Sequence, residues 1–235
     1  RATRYRRVIE IDPQFPPEFS SLADLQAHGR NRFVEAMPLL ERAVALDAGN
    51  PRDAASLALL RHDLGDISEA TQLIAALVDR WPDDLYVNAV AGIAAELSGD
   101  REASERHGRA ALNANSRVAQ PLATLRNIDL RKGEAAAAQS RYTSAYPELM
   151  RTDGPRVDAG NYEAAIDVAL VLQSLELLES AQALLDRGER AIRSLPRLGW
   201  SGYGISDVQI HSLRGDKAKA LIALREAEKA GWRGR

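Results

Sequence analysis

The stretch NPRDAASLALLRHDLGDISEATQLIAALVDRWPDD, residues 50–84, decides the architecture. Asn50 is a helix-capping residue, and Pro51 stands at the first helical position, where a missing N–H costs nothing. Leu57, Leu60 and Leu64 recur at helical spacing, and Gly65 ends the helix. Asp66-Ile67-Ser68-Glu69 is a capping-box sequence. It opens a second helix through Ala70, Leu73, Ile74, Leu77 and Val78 to a stop at Trp81-Pro82. Two antiparallel helices this short cannot hide their apolar faces alone, so the unit predicts neighbours of its own kind.

The neighbours are spelled out at a fixed period. Gly65, Gly99 and Gly133 fall 34 residues apart, in the contexts Leu64-Gly65-Asp66, Ser98-Gly99-Asp100 and Lys132-Gly133-Glu134, and Arg214-Gly215-Asp216 is a later copy. Five residues beyond each glycine stands a small residue, Ala70, Ser104, Ala138 or Ala220, as required where two helix backbones approach closely. One period upstream Asn31 replaces the glycine, and Ala36 and Ala43 keep the small sites. The predicted units are 17–50, 51–84, 85–118 and 119–152, a degenerate unit at 153–199 without the marker glycine, and a last unit at 200–235. Residues 1–16 read as the second helix of a truncated unit ending at Asp12-Pro13. Thr152-Asp153-Gly154-Pro155 and Ala159-Gly160-Asn161 are loop signals that lengthen the connection before the fifth unit.

Composition agrees with an all-α chain. It is 45% hydrophobic but only 5% aromatic, and alanine and leucine dominate its apolar residues. A formal net charge of −2 gives no basic field to steer nucleic acid, and Arg1, Arg4, Arg6 and Arg7 read as a solvated helix face. With no cysteine there are no disulfides or thiolate metal sites. The most apolar stretch, residues 164–178, is broken by Asp167, Gln173 and Glu176, so no membrane insertion is expected. The start at Arg1, with no initiator methionine or signal sequence, reads as an excised fragment. The cytoplasm is the expected compartment and the periplasm the alternative.

The helix–turn–helix unit of 34 residues, its matched small sites and its closing Asp12-Pro13 or Trp81-Pro82 resemble the tetratricopeptide repeat. The usual first-helix aromatic and glycine are mostly missing, with Gly92 a retained example. The resemblance implies an α–α superhelix of antiparallel helix pairs and a non-catalytic scaffold that binds protein or peptide in a concave groove. By register the groove would be lined by Ser21, Leu25 and His28, then Arg52, Ala55, Leu59, His62 and Asp63, then Tyr86, Ala89, Ile93 and Glu96, then Gln120, Ala123, Asn127 and Arg131. Chaperone-binding members of the family clamp a C-terminal carboxylate. Here Asn127 and Arg131 alone match that set in register, so this activity is not implied.

A further resemblance concerns Leu198-Gly199-Trp200 to Tyr203-Gly204, His211-Ser212-Leu213-Arg214-Gly215-Asp216 and Ala230-Gly231-Trp232-Arg233. It is similar to the end of tetratricopeptide regions in bacterial one-component signalling proteins, where a winged-helix or adenylate-cyclase-type domain lies upstream. That implies the alternative role of a sensory or oligomerising half, and leaves a homo-oligomer open.

No catalytic, metal or cofactor site is expected. His28, His62, His107 and His211 form no pair at helical ligand spacing, although His28 and His62 share a register in adjacent units. Gly199-Trp200-Ser201-Gly202-Tyr203 lacks the last glycine and the preceding strand of a nucleophile elbow, and reads as an inter-repeat loop whose Trp200 packs on the last helix pair.

Overall fold

The computed structural model describes residues 2–30, 32–151, 153–193, 195 and 203–229. Within them the chain is all helical: α1 Ala2–Ile11, α2 Pro16–Arg30, α3 Phe33–Leu46, α4 Pro51–Asp63, α5 Ile67–Arg80, α6 Leu85–Ser98, α7 Arg101–Ala114, α8 Ala119–Lys132, α9 Ala135–Ala145, a 3₁₀ turn Pro147–Met150, α10 Tyr162–Ser174, α11 Leu178–Arg193, α12 Tyr203–Leu213 and α13 Lys217–Lys229. The expected packing of Trp200 falls outside the described residues. Two compact units divide the chain, one running to Ala114 and the other from Asn115.

The period is visible in the helix starts: α4, α6 and α8 begin at Pro51, Leu85 and Ala119, and α5, α7 and α9 at Ile67, Arg101 and Ala135. Both steps in each series are the 34 residues read from the glycines. The small sites are closed: Ala36, Ala43, Ala70 and Ala138 are 0% exposed. In unit 1, α4 has apolar residues on two sides. Leu57 and Leu60 pack with Ala23, Ala27, Ala36 and Leu40, while Ala54, Ala55 and Ala58 pack with Ile74, Leu77, Val87 and Val90. In unit 2 the fully buried side chains include Leu122, Leu125, Tyr142, Val168, Leu172, Leu184, Leu185 and Ile210.

Local signals at the ends of α4 behave unequally. Asn50 caps its start as expected, its Oδ1 accepting from the backbone N–H groups of Arg52 and Asp53 at 3.1 and 3.3 Å. Its amide nitrogen donates to the buried Asp53 carboxylate, which also accepts from the Ser20 hydroxyl of α2 at 2.6 Å. The capping box at Asp66–Glu69 does not form. Asp66 makes no side-chain cap, and Glu69 pairs instead with Arg61, whose guanidinium also reaches Glu41 at 3.2 Å. A carboxylate beside a cation already held on a neighbouring helix gains more there than at a neutral N–H.

The marker glycines have a single backbone role. At Gly65 the φ is +96°, its N–H donates to His62 and the next N–H, of Asp66, reaches back to Arg61. This is the double hydrogen bond that closes a helix through a left-handed residue. Gly99, Gly133 and Gly215 repeat it, and nothing lies within 4 Å of a Cβ placed at any of the four, so dihedral angle rather than space demands glycine. The degenerate fifth unit keeps the same turn with Glu176 at φ +60°: Glu176 donates to Gln173, and Leu177 to Leu172. A left-handed non-glycine residue costs about 1–2 kcal/mol, and glycine's greater freedom in the unfolded chain takes back about half. Glu176→Gly is therefore expected to raise stability by about 0.5–1 kcal/mol, and Gly133→Ala to lower it by about 1 kcal/mol, both read from urea midpoints.

The long connection in unit 2 is a built loop. Asn161, 6% exposed, donates to the carbonyl of Arg156 and to Glu148 and accepts from the N–H of Asp158. Arg117 lies over the Tyr146 ring at 4.4 Å and pairs with Glu148 at 2.5 Å. Burial alone would raise the Glu148 carboxyl, but backbone, Arg117 and Asn161 donors outweigh it and hold it below the usual carboxylate range.

Candidate functional site

In unit 1 three successive first helices are joined side by side. Arg52 of α4 pairs with Asp24 of α2 at 3.3 Å, and its guanidinium stacks over the ring of Tyr86 on α6, 5.2 Å from the centroid. Both ends of the ion pair are more than a third exposed, so it is worth little by itself and can be exchanged for a partner's carboxylate at small cost. Beside this ladder a depression of about 60 Å³ is lined by Asp24, Ser56, Leu59, Asp63 and Val90 of the first helices together with Phe33 and Leu40 of α3. Ser21, Leu25, Ala89, Ile93 and Glu96 are half-buried, and Tyr86 is exposed.

Not every residue picked by register is placed on that surface. Ala55 is 1% exposed and belongs to the core beneath, so it supports the face without offering surface to a partner. His62 and Asp63 are adjacent in sequence but about 100° apart around the helix. Asp63 lines the first-helix depression, whereas His62 lines a different cleft on α5, α6 and α7. The side chain of His28 lies outside the described residues, so its approach to His62 does too. Among the described residues no group of three or more His, Asp or Glu side chains could hold a metal ion. Asp24, Ser56 and Val90 were not picked. Each lies within one helical turn of a picked residue, so a stripe widened by one position on either side finds them.

In unit 2 the picked residues of α8 are Gln120 and Arg131, both exposed, and Ala123 and Asn127, both half-buried. Asn127 is engaged: its Oδ1 accepts from Arg126 Nε at 3.2 Å and Nη2 at 2.9 Å. Arg126, 11% exposed, pairs through Nη1 with Asp167 of α10, whose other oxygen accepts from the Tyr142 hydroxyl of α9 at 2.7 Å. Burial drives the Asp167 carboxyl up against the pull of Arg126, and burial beside that carboxylate raises the Tyr142 hydroxyl well above the ordinary phenol value. Glu163, one turn from Asp167 and on the exposed side of α10, is also raised, first by partial desolvation and then by the Asp167 charge, and burial together with Glu163 pushes the Tyr162 hydroxyl up to about 12. A second ion pair, Arg141 with the 3%-exposed Asp129, ties α9 to α8 at 2.5 Å. These polar groups knit three helices of unit 2 together from inside.

Residues 27–93 match the family model described as tetratricopeptide repeat. No curated protein matches the sequence. Similar solved structures include a tetratricopeptide repeat protein from Parabacteroides merdae, at 14% identity over 98% of this chain and 86% of that one, TM-score 0.59. A thermophilic TPR protein of Thermus thermophilus is 21% identical over 82% and 92%, TM-score 0.55. The pilF protein of Pseudomonas aeruginosa is 13% identical over 91% and 90%, also with TM-score 0.55. At such identities the likeness is one of fold, and it runs well beyond the matched residues. The chain is a tetratricopeptide-type solenoid of helix pairs.

Proposed function

Taking the tetratricopeptide fold as the starting point, we propose that this chain is a non-catalytic scaffold that lays an extended peptide or a helix across its first helices. The observation that carries the reading is the Asp24–Arg52–Tyr86 ladder, which spans α2, α4 and α6 with an exposed guanidinium at its centre and an exposed aromatic ring at its α6 end. Arginine and tyrosine are the side chains most often responsible for affinity at protein interfaces. Leu25, Leu59 and Ile93 supply apolar surface on the same helices. A fitting ligand brings a carboxylate to Arg52 and aliphatic or aromatic anchors to the leucines. No helix among the described residues is long and apolar enough to cross a membrane.

Peptides selected from a random display library on the wild-type chain test this. Arg52→Glu combined with Tyr86→Ala is expected to weaken the selected peptides by roughly tenfold or more while circular dichroism stays helical. Unchanged affinity in a folded variant would move the site off this face.

A further inference from the structure

Helix pairs in this array carry the first helix of the next pair. α6 packs against both α4 and α5, α10 against both α8 and α9, and α12 against both α10 and α11. The position nine residues past the left-handed turn is closed off in those pairs. Ile74 clusters there with Val87 and Val90 of α6, the Tyr142 hydroxyl donates to Asp167 of α10, and Leu185 is 0% exposed. In the last described pair the same position is Leu224, which is only half-buried. It belongs to a groove of about 360 Å³ between α12 and α13, lined by Val208, Ser212, Lys217, Ala220, Leu221 and Leu224.

One lining residue departs from the pattern of the array. Six residues past the turn, α5, α7, α9 and α11 carry the polar residues Thr71, Glu105, Gln139 and Gln182. In α3 the position is Met37, which packs against the apolar cluster of its own helices. In α13 it is Leu221, 45% exposed. The four pairs before the last are thus built with a polar group where α13 presents a leucine to water beside the half-buried Leu224, and covering both is worth more than leaving them wet.

The charges on the same stripe say what covers them. Lys217, Leu221, Leu224 and Glu228 follow one another at intervals of four, three and four residues, so they run along one side of α13, with Lys217 and Glu228 exposed at its two ends. Read backwards, the spacing is the same and the charges are exchanged. A second α13 laid antiparallel on this one therefore sets Leu221 against Leu224 of the second copy and Lys217 against Glu228 of the second copy, twice over by symmetry. A parallel copy would set lysine on lysine and glutamate on glutamate.

We infer that a second copy of this chain covers the groove, the two α13 helices lying antiparallel about a two-fold axis that passes between residues 222 and 223. The contact is closed, since each copy offers the same stripe. It lies on α12 and α13 and shares no residue with the Asp24–Arg52–Tyr86 ladder, so it stands independently of the scaffold reading.

Sedimentation velocity of the full chain between about 1 and 300 µM should show a monomer–dimer equilibrium with a Kd on the order of 10 µM, because one helix pair from each copy makes a contact at the small end of specific interfaces. Leu221→Glu should weaken association by more than about tenfold while circular dichroism stays helical, position 221 being exposed in the single chain. Lys217→Glu and Glu228→Lys should each weaken it by about tenfold, since either change puts like charges together at both ends of the seam. Neither should unfold α13, because glutamate suits the first turn of a helix and lysine the last. An equimolar mixture of these two variants should return to within about threefold of the wild-type affinity, every end of the seam then pairing glutamate with lysine. A monomer throughout the range, association that survives Leu221→Glu, or a mixture no tighter than its components would each overturn the assignment.

Discussion

Arg126→Met is expected to lower the stability of the chain by about 3 kcal/mol in urea denaturation at neutral pH, because it leaves the Asp167 carboxylate, only 20% exposed, without its counter-charge. Methionine keeps most of the arginine stem's volume, so the loss measures the missing charge and hydrogen bonds more than a cavity. Two consequences separate this from a packing defect. The first is pH. Burial already raises the Asp167 carboxyl above its unfolded value, and removing Arg126 raises it further. Below the unfolded value of about 4 both states carry the proton, so the charge penalty vanishes and the deficit of the variant should shrink as the pH falls. The second is rescue. Arg126→Met/Tyr142→Phe/Asp167→Leu removes the charge pair and the hydroxyl at similar volume, leaving only the half-buried Asn127 amide, and should return to within about 1 kcal/mol of wild type. A deficit that is constant with pH, or a triple variant as weak as the single one, would show that the network is not what holds α8, α9 and α10.

Ala70→Leu should cost about 1–3 kcal/mol, against less than about 0.5 kcal/mol for Arg80→Ala on the same helix. Ala70 is 0% exposed and sits five residues after the left-handed Gly65, where the small residue recurs in each well-kept copy. Three extra carbons have no space there without moving α4 or α5. Arg80 is exposed and lies over the ring of Trp81, 4.2 Å away, so its removal costs a surface cation–π contact. Chevron or equilibrium urea data on both variants decide the point. Equal losses would mean that the repeat register is displaced from the one described.

Much of the fold could be read before any coordinates. The glycine interval returned as the interval between helix starts, and Asn50, Pro51 and Gly65 took the roles their chemistry assigns, because each acts through dihedral angles and hydrogen bonds within a few residues of itself. The candidate surface was only partly legible. Arg52 and Tyr86 meet across successive first helices and Leu59 and Asp63 line a depression beside them, but Ala55 is core and His62 lines another cleft. A helix advances about 100° per residue, so an uncertainty of one position in where a face begins exchanges a groove residue for a core residue or for the opposite flank.

Spacing and local chemistry alone specify the period, the left-handed turns, the small helix-crossing sites and hence an array of helix pairs. Tertiary structure alone decides what the polar side chains do. Glu69 leaves the capping box for Arg61, Glu176 accepts a glycine's conformation because the helices on either side hold the turn, and Arg126, Tyr142 and Asp167 meet from three helices. Backbone preferences are set by neighbours in sequence, whereas a charged group takes whichever partner packing brings within a few ångströms, and that choice exists only once the helices have docked.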